Sequence, residues 1–103
     1  MIHYTYKEAE DHLEVKLEGD LDIEGTEIVE EELIPTMSNY KTVNIDFENV
    51  PFVDSSGMGL LMNMVKTLNE KGIKVTISKV RQEVFEVFEI IQLPEILGEG
   101  VFV

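Results

Sequence analysis

The sequence predicts an α/β domain of two layers, a mixed β-sheet of four to five strands with helices packed mainly on one face. Three observations carry this expectation. Leu13, Val15 and Leu17, then Val43, Ile45 and Phe47, then Ile73, Val75 and Ile77 each alternate with polar residues, the period-two signature of a strand with one buried side. Strands enclosed between two helical layers would instead be nearly continuous apolar runs, so the other sheet face is expected to be wet. Between the strands lie segments whose apolar residues recur at three- and four-residue spacing, as in amphipathic helices. The 103 residues suffice for one core, and the whole of 1–103 is read as a single domain.

In chain order, Met1 to Tyr6 is expected as a short edge strand, followed by the strand over Leu13–Leu17. Gly19 suits a bend at its exit. Asp22 or Thr26 is placed to cap the next helix, and Glu24 and Glu27 favour its positive end. Ile28, Val29, Leu33 and Met37 form that helix's apolar stripe, which Pro35 should kink or end. Val43 to Phe47 gives the central strand and Pro51 breaks it. From Asp54 onward Gly57, Leu60, Leu61, Met64, Val65 and Leu68 mark a second helix, with Gly72 at its end. After the strand Ile73–Ile77, a third helix holds Val84, Phe85, Val87, Phe88 and Ile91. Pro94 lies just beyond it, and the closing Val-Phe-Val has the form of a last short strand.

Composition narrows the function. The chain carries 8 basic and 21 acidic residues, a net charge of -13. Nucleic acids and anionic membranes need clustered Lys and Arg, so neither is expected as a partner. The acid excess is read as a solvated surface, and the sharper alternative, compatible with it, is a negative surface that steers the domain toward a basic partner. There is no cysteine, hence no disulfide, and the start MIHYTYKEAED lacks the form of a signal peptide; a cytoplasmic protein is expected.

The chemistry-bearing residues gather at Asp54-Ser55-Ser56-Gly57, where a strand exit meets a helix start. Taken alone, either serine is read as a helix cap. A serine nucleophile would require a histidine base and an orienting acid, and the two histidines, His3 and His12, have no motif around them. Asp20, Asp22, Asp46 and Asp54 stand at strand ends. No lysine or second acid pair completes a Mg²⁺ site from them, so solvated acids are expected, with no metal and no cofactor. Met58 and Met62 sit at the edge of the helix stripe and are read either as peripheral packing or as an exposed apolar rim beside Ser55.

The run Phe52-Val53-Asp54-Ser55-Ser56-Gly57-Met58-Gly59-Leu60-Leu61 resembles the signature of the STAS domain, specifically that of the bacterial anti-sigma factor antagonists. Gly19-Asp20-Leu21-Asp22 is similar to that family's Gly-Glu-Leu-Asp, and Val84-Phe85-Glu86-Val87-Phe88 to its late helix. The departures are Ile91-Gln92-Leu93, where the family commonly has a small residue and glycine, Gly25 near the start of the first helix, and a chain that stops at Val103 where many members add a C-terminal helix. The resemblance implies a non-enzymatic switch. Ser55 is the implied phosphoacceptor and Ser56 a secondary, neighbouring hydroxyl. Asp22, Asp54, Gly57, Met58 and Met62 belong to the implied partner-binding surface. The implied partners are an anti-sigma factor that is also an ATP-using serine kinase, which the unphosphorylated form binds with release of a sigma factor, and a phosphoserine phosphatase. A monomer is favoured. The alternative is a STAS module that senses a ligand or nucleotide or scaffolds a signalling assembly.

Overall fold

The computed structural model describes all residues 1–103. Its four strands are β1 (His3–Ala9), β2 (His12–Glu18), β3 (Thr42–Asn49) and β4 (Lys74–Ser78), in the spatial order β1-β2-β3-β4. β1 runs antiparallel to β2, whereas β2–β3 and β3–β4 are parallel, so the sheet is mixed. β1 is longer than expected and joins β2 through a tight turn at Glu10-Asp11. Glu10 adopts a left-handed φ of 55°, which the sequence did not signal because neither turn residue is Gly or Asn.

Every fully buried side chain is apolar. Leu13, Val15 and Leu17 of β2, Val43, Ile45 and Phe47 of β3, and Val75 and Ile77 of β4 all point into one core beneath the helices. The opposite sheet face carries Glu14, Asn44, Thr76 and Ser78 in a side-chain hydrogen-bond network, with Asn44 donating to both Glu14 and Ser78 at 2.9 Å. The expectation of one covered and one wet face holds.

Helix α1 covers residues 23–37 in an irregular run. A 3₁₀ turn (Ile23–Gly25) and an α turn (Thr26–Ile28) lead into a π segment (Val29–Leu33) and a last α turn (Ile34–Met37). Pro35 neither ends nor stops this helix. Its ring would collide with the carbonyl four residues back, and the π widening just before it, where Ile34 N–H donates to Val29 C=O, is how the helix passes the proline. Asp22 caps the start, its Oδ1 accepting from Glu24 N–H at 3.0 Å, while Thr26 donates to the Ile23 carbonyl instead. Gly25 is buried, and a Cβ there would come to 3.1 Å from Ile2 Cγ2, so its lack of a side chain lets the N-terminus pack.

Helix α2 (Ser55–Glu70) follows β3, and α3 (Gln82–Ile90) follows β4. A short helix α4 (Leu93–Leu97) was not expected: Pro94 lies beyond α3, as anticipated, but falls in the first turn of α4, where its missing N–H costs nothing. Between them Gln92 sits at φ 59°, a left-handed conformation that glycine adopts more readily than a residue with a Cβ. The final residues form a single bridge, Ile77 to Phe102, rather than a fifth strand. Phe102 is held against Phe85 and Phe88, at ring separations of 5.4 and 5.8 Å.

Candidate functional site

The exits of β2 and β3 continue side by side beyond the sheet. Gly19 N–H donates to the Asn49 carbonyl and Leu21 N–H to the Phe52 carbonyl, both at 3.0 Å. Leu21 then forms a parallel bridge with Val53. Asp22 and Asp54 are therefore the next residues along two neighbouring chains, and each begins a helix.

Asp54, not a serine, is the N-cap of α2. Its backbone is extended, its Oδ1 accepts from Gly57 N–H at 2.8 Å, and its carbonyl accepts the first helical bond from Met58. The capping role read for Ser55 or Ser56 alone is corrected accordingly. Ser55 occupies the first helical position with its side chain exposed, and Ser56 the second, half-buried. Their N–H groups belong to the first turn, where a helix has no internal acceptors to offer.

Gly57 is expected on the partner-binding surface but is buried. A Cβ at this position would lie 1.9 Å from the Leu21 carbonyl oxygen, so the glycine lets the first turn of α2 rest directly on the β2 exit. Met58 is likewise buried, and of the two readings left open for it packing is the one found. Met62 is half-buried and lines a separate depression with Ile96 and Leu97. Gly59 differs from Gly57: nothing lies within 4 Å of where its Cβ would be. One turn along from Ser55, it leaves the helix surface bare.

Beside Ser55 a groove of about 460 Å³ runs between the β3–α2 connection and α3, lined by Phe52, Asp54, Met58, Glu83 and Val87 among others, none of them basic. Phe52 is 50% exposed and Ile23, just past Asp22, is 66% exposed. Val87, expected among the apolar residues of the third helix, is 38% exposed, and no sequence pattern marks Phe52 or Ile23 as exposed. Phe52 and Ile23 are exposed where the exits of β3 and β2 emerge, and Val87 faces the groove from α3. Asp46 is not part of this site: it lies on the open sheet face in register with Ser78, bonded to Glu48 N–H and 3.7 Å from Lys79. His12, hydrogen-bonded to Thr42 and Glu14, pairs with the opposite end of β3. No three His, Cys, Asp or Glu residues gather as a metal site, and no helix is long and apolar enough to cross a membrane.

A mixed four-stranded sheet with helices on one side matches what comparison with known proteins finds. The family model described as the STAS domain matches residues 3–102. An anti-sigma-B factor antagonist of Staphylococcus aureus is 32% identical over 85 residues, 82% of this chain and 79% of its own. The chain belongs to the STAS domain family, among its anti-sigma factor antagonists. Among solved structures, a putative anti-sigma factor antagonist from Thermotoga maritima superposes with a TM-score of 0.80 at 20% identity, covering 90% of this chain and 81% of that one. The Bacillus cell fate determinant SpoIIAA in its phosphorylated form gives a TM-score of 0.71 at 20% identity, covering 98% and 89%.

Proposed function

We propose that this protein is an anti-sigma factor antagonist in a partner-switching cycle and that Ser55 is its phosphoacceptor. In this reading the unphosphorylated form binds an anti-sigma factor that is also an ATP-using serine kinase, and a sigma factor is released. Phosphorylation of Ser55 ends the complex, and a phosphatase restores it. The catalysis belongs to the partners.

One observation carries the assignment to Ser55: Asp54 holds the cap of α2 and leaves the Ser55 side chain exposed, free of structural duty. A phosphate there adds roughly -1.5 to -2 charges at neutral pH. The open N–H groups and positive end of a 16-residue helix tolerate it within the domain. The groove offers no Lys or Arg to engage it, so the dianion stands beside Asp54 and Glu83 and acts outward on whatever is docked. A surface fitted to a neutral hydroxyl then meets an unpaired charge, which costs an interface about 2–5 kcal/mol. SpoIIAA, a protein of the same fold, has been solved in a phosphorylated form.

The test is incubation with the cognate kinase and ATP, followed by mass spectrometry. One phosphate on Ser55 is expected; an unmodified Ser55, or modification at Ser56 alone, defeats the assignment. Ser55→Ala should bind the kinase without release by ATP, and Ser55→Asp should bind at least tenfold more weakly.

A further inference from the structure

All three tyrosines of the chain face one side of the molecule, away from any role in the serine site. Tyr4 and Tyr6 extend from the helix-side face of β1, in register with Leu17 and Val15, yet α1 does not cover them as it covers β2. Their rings stack, with centroids 6.4 Å apart and planes 15° from parallel. Tyr4 donates to Glu32 of α1 at 2.7 Å, and Tyr40, which precedes β3, donates to Glu8 of β1. Two rings are thereby fixed by carboxylates, and Tyr6, on the strand between Tyr4 and Glu8, remains 49% exposed.

β1 is also an open edge. It ends the sheet, pairs with β2 over seven residues without a bulge, and contains no proline. Of its two charges, Lys7 points to the opposite sheet face beside Glu14, and Glu8 accepts from Tyr40. The other edge is partly closed, since β4 exchanges backbone bonds with the tail, Ile77 N–H to the Val101 carbonyl and Val103 N–H to the Ile77 carbonyl. An edge with free backbone groups accepts an added strand, and fixed aromatic rings bind at little entropic cost.

The charge selects the occupant. Glu8 and Glu32 hold two of the tyrosines, and the turn after β1 adds Glu10 and Asp11, with Lys41 engaged by Asp11 at 3.6 Å. A second copy would bring another net charge of -13 to the same edge. Exposed tyrosine faces flanked by carboxylates suit ammonium or guanidinium groups, which attract both the ring and the acid. We propose that β1 is a docking edge for an extended, Lys- or Arg-bearing segment of a partner protein, which adds to the sheet as a fifth strand with its cationic side chains on Tyr6 and beside Glu8.

The probe is a capped octapeptide of alternating lysine and valine, titrated into the full chain and followed by amide NMR shifts and hydrogen exchange. Saturable shifts and slowed exchange confined to His3–Ala9 are expected, absent with an alternating glutamate–valine peptide and with a lysine–valine peptide N-methylated on its pairing edge. Tyr6→Ala should weaken the titration roughly threefold while Tyr6→Phe retains it. Ser55→Asp should leave it unchanged, which separates this edge from the serine switch. The proposal is overturned if β1 does not respond, if the acidic or N-methylated peptide binds equally well, or if β1 is protected without peptide as protein concentration rises, which would mean that a second copy closes the edge.

Discussion

The Asp54 carboxylate accepts the Gly57 N–H at 2.8 Å, and the exposed Ser55 is bracketed by that bond without taking part in it. The capping work of the motif is done by its first residue and the close packing by its fourth.

Asp54→Ala should therefore lower unfolding free energy by about 1 kcal/mol, the usual cost of losing an N-cap. Ser55→Ala should stay within about 0.5 kcal/mol of the parent, as expected of an exposed position. Urea denaturation of the two variants decides the matter; a Ser55→Ala variant as unstable as Asp54→Ala would assign the cap to the wrong side chain.

The two glycines of the motif should respond oppositely to alanine. Gly57→Ala places a carbon 1.9 Å from the Leu21 carbonyl, and α2 must lift from the β2 exit to admit it. A loss of about 3 kcal/mol or more, or failure to fold, is expected from such overpacking of backbone. Gly59→Ala meets open space and should gain about 0.5–1 kcal/mol in thermal unfolding through helix propensity.

Gln92→Gly should stabilise the domain by about 0.5–1 kcal/mol, because the left-handed φ of 59° between α3 and α4 strains any residue with a Cβ. A rise in melting temperature checks this, and a fall would mean that the Gln92 side chain supplies more than its backbone costs.

Hydrogen bonding to Glu32 and Glu8 raises the pKa of Tyr4 and Tyr40, respectively, above the ordinary value of 10.0. A group whose folded pKa is raised contributes stability that is fully present below its unfolded pKa and is lost as pH rises through the folded one. The urea midpoint should thus fall above pH 10, and it should fall less steeply in the double variant Tyr4→Phe, Tyr40→Phe. Parallel profiles for the two proteins would show that these bonds contribute nothing to the alkaline limit.

The covered-and-open sheet could be read from Leu13–Leu17, Val43–Phe47 and Ile73–Ile77, because period-two alternation records directly which face is buried. The helix opening at Asp54 was legible from the change to three- and four-residue spacing in Gly57, Leu60, Leu61, Met64, Val65 and Leu68. What escaped the sequence depends on backbone geometry or distant contacts. Glu10 turns with a residue type that does not advertise a turn, and Pro35 is accommodated by a π segment that no local pattern announces. The burial of Gly57 becomes visible only once the exit of β2 is laid against α2. Phe52 and Val87 meet beside Ser55 from two separate segments, so their spacing along the chain holds no trace of the groove they share.

The exposed first position of α2 has a consequence for how such proteins diversify. A residue that neither packs nor caps can be exchanged at almost no folding cost, so duplicated copies of this chain are free to fix aspartate, alanine or threonine at residue 55. With Ser55 as the phosphoacceptor proposed above, each copy would keep the same architecture while becoming permanently silent, permanently engaged or answerable to a different kinase. The boundary between Asp54 and Ser55 thus divides inheritance of the fold from inheritance of the signal, and selection can act on either without disturbing the other.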